Sequence, residues 1–185
     1  MIYKHFFKEN TEEHSVEAQA YSNGYKIGPV FKAYYPKDLD GKKFYKIKRP
    51  SPFPNVVGSK PDTNDEIYIS GFFADDMNVA NRFKFSKESV LGRFYLKLDK
   101  SFVIDGSNQL AGKLQFAETG KAFRDAIRSG KYDSVIIKNT KDEGTIYVTL
   151  KPSQSKLADA KTFTEEGEEI PLKTRFDSSN EDFRY

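Results

Sequence analysis

The sequence predicts an α+β fold, because it reads as several short strands with peripheral helices and because aromatic residues, all Phe and Tyr, make up 15% of the chain. So many rings suit a β-rich core. At 185 residues the chain is one domain's worth, long enough to bury a core. Hydrophobic residues are 37% and charged residues 31% of it. No apolar run approaches the roughly 18 residues of a membrane span. Met1-Ile2-Tyr3-Lys4-His5 lacks the apolar centre of a signal peptide, so a cytoplasmic protein is expected.

Each element has a local signal. Asn10-Thr11 before Glu12-Glu13 starts a helix with Val16, Ala20 and Tyr21 on one face, closed by Gly24. Pro29 to Tyr35 reads as a short strand, as do Ile67-Tyr68-Ile69 and Gly71-Phe72-Phe73. A short helix is expected from Asp76 to Arg82. Phe94 to Leu98 alternates like a half-buried strand, and Phe102-Val103-Ile104 ends at the turn pair Asp105-Gly106. Ala122, Phe123, Ala126 and Ile127 mark a helix stopped by Gly130. Val135-Ile136-Ile137 and Thr145 to Leu150 are strands joined through Asp142-Glu143-Gly144.

Two stretches lack periodicity. Residues 48–65 hold four prolines and read as a long loop. Residues 175–185 read as a polar tail with little to bury, within a single domain spanning 1–185. The chain has no cysteine and only two histidines, His5 and His14. Disulfides, thiolate metal sites and cysteine nucleophiles are excluded, and neither a metal centre nor a Ser-His-Asp triad is expected. The net charge is only +3. Lys42, Lys43, Lys46, Lys48 and Arg49, beside Phe44 and Tyr45, could meet phosphates or nucleic acid, or could simply keep a loop solvated.

The order of motifs resembles a known family. Ala20 to Phe31 is similar to that family's approach to its first strand. Gly71-Phe72-Phe73-Ala74-Asp75 with Val79-Ala80-Asn81 resembles the strand-to-helix segment that walls its nicotinamide pocket. Tyr132 to Ile137, Tyr147-Val148 and Pro152 to Lys156 resemble its closing strands. Ile170-Pro171-Leu172, Arg175-Phe176 and Asp182-Phe183-Arg184-Tyr185 resemble its ending. The family is the ADP-ribosyltransferase domains of phage and mobile-element polyvalent proteins, distant relatives of the poly(ADP-ribose) polymerases. The resemblance spans about Val16 to Tyr185. It implies a split β-sandwich with peripheral helices, NAD as co-substrate, and transfer of ADP-ribose to a macromolecular target, a host protein if the gene is phage-borne.

In that family a first-strand histidine holds a ribose, the backbone of the next residue binds the nicotinamide amide, and a tyrosine stacks on the nicotinamide ring. A late-strand glutamate supports the positive charge that develops on the ribose. The resemblance puts Lys32 at the histidine, Ala33 at the amide-binding position and Phe72 at the stacking ring. Phe73 and Asn81 fall on the same wall, and Ile146, counted back from Gln154, falls at the glutamate. Phe72 keeps a ring face, Lys32 can donate to a hydroxyl or a pyrophosphate, and Ile146 supplies no anion. Glu143 is the candidate substitute acid, although three strand residues place it roughly 10 Å from Ile146 and on the opposite face. Asp75 and Asp76 lie nearer the presumed wall. The readings in competition are a mono-ADP-ribosyltransferase, an inactive relative that binds a protein or nucleotide, and a nucleic-acid module built on Lys42 to Arg49.

Overall fold

A computed structural model describes residues 14–40, 45–47, 67–84, 86–107, 122, 125–140 and 144–185. Their architecture is α+β, built on a seven-stranded sheet. The strands are β1 (Ile27–Tyr34), β2 (Tyr45–Ile47), β3 (Ile67–Ile69), β4 (Gly71–Ala74), β5 (Val90–Leu96), β6 (Ser101–Asp105), β7 (Ser134–Thr140), β8 (Gly144–Thr149) and β9 (Ser155–Leu157). The main sheet runs β6-β7-β8-β4-β1-β5-β9, and β2 pairs with β3 as a separate antiparallel ribbon. The β6–β7 pair is parallel, and the other pairings of the main sheet are antiparallel.

The helices follow their local signals. Residues 14–22 form α1, and Gly24, at φ +87°, supplies the left-handed exit that a side chain would resist. Val16 and Ala20 are buried, but Tyr21 is exposed, its ring edge meeting Tyr95. Five residues after Val16 is about 140° around the helix, which is why Tyr21 leaves the buried face. Helix α2 (Met77–Asn81) starts where Asp76 accepts from the backbone N–H groups of Asn78 and Val79. Residues 125–128 form α3, with Gly130 beyond it at φ +61°. No described helix is long and apolar enough to cross a membrane.

The sheet buries both faces. On one face Ala74, Ile146, Val148, Val135 and Ile137 pack with Val79 and Ala80 of α2 and with Ala126 of α3. On the other Val30, Phe73, Phe94, Leu96 and Leu157 pack with Phe183. Over the β5 end of the first face, Tyr95 joins Val16, Ala20, Tyr25 and Phe176. The expectation of a half-buried strand near Phe94 is therefore corrected: Phe94, Tyr95 and Leu96 are all buried, because α1 and Phe176 cover one side and Leu157 and Phe183 the other.

The expectation for residues 175–185 is corrected as well. Arg175, Phe176 and Phe183 are buried. Arg175 donates to the carbonyls of Leu157, Asp159 and Ala160, and Phe183 exchanges backbone bonds with Leu39 and Leu157. A polar composition conceals a packed element here, because its few apolar side chains are turned inward and Lys156 caps two of its carbonyls. The long loop at 48–65 lies outside the described residues, and so do most of the residues from Lys42 to Arg49. Of the latter, Tyr45, Lys46 and Ile47 form β2.

Candidate functional site

Strands β1, β4 and β8 are neighbours, and their register decides which side chains meet. Phe31 pairs with Ala74, and Ala74 pairs with Ile146. Directly paired residues share a face, so Phe31, Ala74 and Ile146 lie together under α2. Side chains alternate along a strand, which turns Lys32, Phe73 and Tyr147 to the other face. Phe73 pairs directly with Tyr147, and the Lys32 ammonium lies 4.9 Å from the centroid of the Phe73 ring.

Lys32 is not a solvated strand residue, for only 6% of it is exposed. Its Nζ donates to the Ser70 carbonyl at 3.3 Å and lies 5.3 Å from the Phe183 ring. An ammonium between two ring faces gains from both quadrupoles while its butyl stem packs against apolar surface. Gly71 makes this placement possible. A Cβ there would lie 2.5 Å from the Lys32 Nζ and 3.0 Å from a Phe73 ring carbon. Around the amine the rings form an edge-to-face cluster: Phe73 on Phe94 at 5.2 Å, Phe183 on Phe94 at 6.0 Å and Tyr34 on Phe94 at 5.6 Å.

Polar groups border the cluster. Tyr147 is half-buried, and burial first, then the charge of Asp75, raises its phenol above the ordinary value. Tyr34 is pushed up to about 12 by burial and by Asp159. Thr149 pairs with Gly71, so its side chain shares the face of Tyr147. The hydroxyls of Thr149 and Ser70 are buried and find no hydrogen-bond partner among the described residues. Unpaired buried hydroxyls are uncommon in packed interiors, and each costs about 1–3 kcal/mol.

The family-derived site residues thus separate. Lys32 and Phe73 converge. Phe72 pairs with Val148 and packs in the other core, with Ile146, which is 6% exposed. Ala33, the next residue to Lys32, turns its side chain away from that face as well. Asn81 is exposed at the end of α2. A cleft lined together by Lys32, Phe72 and Ile146 is therefore excluded by strand alternation, since Phe72 and Ile146 face the opposite side of the sheet. Glu143 lies outside the described residues. Asp76 is occupied as the α2 cap, and Asp75 Oδ1 accepts from the Thr145 N–H at 2.7 Å, holding the start of β8. Gln154 satisfies backbone groups, accepting from Leu150 and Lys151 and donating to Asp133.

Tyr147, one residue from the position reached by counting from Gln154, is the β8 side chain that shares the face of Lys32 and Phe73. Its signal was the alternation itself: Ile146 and Val148 are an apolar pair, which leaves Thr145, Tyr147 and Thr149 for the opposite face. Comparisons with protein-family models, with curated proteins and with solved structures return no match to this chain.

Proposed function

We propose that the protein is a non-catalytic relative of the ADP-ribosyltransferases that binds an NAD-type dinucleotide through Lys32, Phe73 and Tyr147. The observation that carries this reading is the convergence of those three side chains on one face of three adjacent strands. Lys32 and Phe73 are buried beneath Phe183, so the reading requires that ring to move aside; the ammonium then complements a pyrophosphate, the Phe73 ring offers a stacking face, and the phenol can bond a ribose or amide oxygen. What the convergent set lacks is an anion. Transfer of ADP-ribose builds positive charge on the ribose, and a phenol in place of a carboxylate does not stabilise it.

The competing reading, a mono-ADP-ribosyltransferase acting on a macromolecular target, draws on one observation: the carboxylate of Asp75 is held at the start of β8, two residues before Tyr147, by the Thr145 N–H. Calorimetric titration of the full chain with NAD, together with an assay for released nicotinamide, separates the two. Binding without nicotinamide release supports the binding module. Release that Asp75→Asn or Glu143→Ala abolishes supports the transferase and refutes the proposal. Absence of heat and of release refutes both.

A further inference from the structure

The C-terminal segment crosses the edge of the main sheet at β9. Phe176 lies on one side, its ring 6.0 Å from that of Tyr95. Phe183 lies on the other, 6.0 Å from Phe94 and over the Lys32 amine. Six residues lie between the two rings, and what holds the chain between and beyond them is largely polar. Lys156 of β9 donates from Nζ to the carbonyls of Asn180 and Asp182, at 2.6 and 2.7 Å. Both carbonyls lie just before Phe183 in the chain. The Phe183 N–H donates to Leu39 O, the Leu157 N–H donates to Phe183 O, and Thr162 Oγ1 donates to Arg184 O. Arg184 grips Asp182 through two guanidinium nitrogens.

We propose that residues 177–185 are a lid over Lys32, with Phe183 as its cover and Lys156 as its latch. Beyond Phe176 the segment contributes one large apolar side chain to the core, Phe183, whereas β1 and β5 are fixed by a ladder unbroken from Val30 to Tyr34 and by apolar contacts on both faces. An element held by one ring and a few capped carbonyls opens at lower cost than the sheet beneath it. Opening removes Phe183 from the amine and uncovers Lys32, Phe73 and the edge of Phe94, while Phe176 keeps the segment tethered on the far side. The lid stands on packing alone and does not depend on the dinucleotide reading.

Native-state hydrogen exchange, read with acylation of Lys32 by an amine-selective reagent and mass spectrometry, tests the lid on the unliganded full chain. The Phe183 and Leu157 amides are expected to exchange at least tenfold faster than those of Val30 and Phe94, and Lys32 acylation is expected to follow the lid amides. Lys156→Met should accelerate both lid exchange and acylation by about tenfold with the sheet unchanged. Phe183→Ala should accelerate acylation with the latch intact. Exchange of lid and sheet amides at one common rate in the wild-type chain overturns the lid, as does Lys32 acylation that follows the sheet. The wild-type comparison decides the question even where a variant fails to fold.

Discussion

Phe176 and Phe183 rest on opposite faces of the same strand, the first against Tyr95 and the second against its neighbour Phe94. The end of the chain thus clamps β5 from both sides around β9. Each ring is almost fully removed from water. Replacing either by alanine is expected to cost about 3–5 kcal/mol, and deleting residues 176–185 is expected to cost more than either change. Urea denaturation followed by circular dichroism measures this. A truncated chain as stable as the full one would show that the clamp contributes nothing.

Gly71 is the second sensitive point. Its missing side chain makes the space in which the Lys32 amine lies against the strand. In Gly71→Ala the amine must shift, because its flexible end yields more readily than backbone. A loss of about 1–3 kcal/mol is expected. Combining it with Lys32→Ala should recover part of that loss, because the clash partner is gone. A strictly additive double mutant, measured by the same denaturation, would show that the two residues do not meet.

Ile146 tests the strand register. Ile146→Glu places a carboxylate in an apolar cluster, where burial raises its pKa. A destabilisation of about 3 kcal/mol or more is expected at pH 7. Its sign with pH follows from linkage: the raised folded-state pKa makes the variant regain stability as pH falls toward 5 and the acid becomes neutral. Lys32→His combined with Ile146→Glu should yield no nicotinamide release, since the two positions face opposite sides of the sheet. Turnover in that double variant would contradict the register.

The stability of the protein should pass through a maximum in mildly alkaline solution. Lys156 is pulled from 10.5 down to about 8, burial outweighing the opposing pull of Asp182, Asp177 and Glu181. Between those values the unfolded chain binds more protons than the folded one, so stability rises with pH, by about 3 kcal/mol at most. Tyrosines act in the opposite sense. Tyr34 is pushed up to about 12, by burial and then Asp159, and Tyr25 is also raised, by burial and then Asp177. Above about pH 10 the unfolded chain loses phenolic protons that the folded chain keeps, so stability falls. The maximum is expected at about pH 9–10. Lys156→Met should remove the rising limb, and Tyr34→Phe should make the falling limb shallower. A stability curve that declines steadily from pH 8 would contradict this assignment of Lys156.

Much of the fold was legible in the residues. Asp76 announced a helix start, Gly24 and Gly130 announced helix exits, and Asp105-Gly106 closed a strand, because each of these acts through its own backbone. The site was less legible. Phe72 and Phe73 are equivalent by composition, and only pairing with β1 and β8 shows which one faces Lys32. Ile146 and Tyr147 differ by the same single step, and a count taken from a distant glutamine does not resolve it. Burial of Lys156 and Arg175 had no local signal, since their carbonyl partners lie 15 to 26 residues away in sequence. The same distance hid the role of the C-terminal segment, in which two phenylalanines stand among polar residues.

The convergence of Lys32, Phe73 and Tyr147 on one face is tested most directly by NAD titration calorimetry across neighbouring positions of the same strands. Lys32→Met and Tyr147→Phe are expected to weaken binding at least tenfold, whereas Phe72→Leu and Ile146→Val, one residue away on the opposite face, are expected to leave it within twofold of wild type. Binding lost in Phe72→Leu and Ile146→Val but retained in Lys32→Met and Tyr147→Phe would place the dinucleotide on the other side of the sheet and contradict the site.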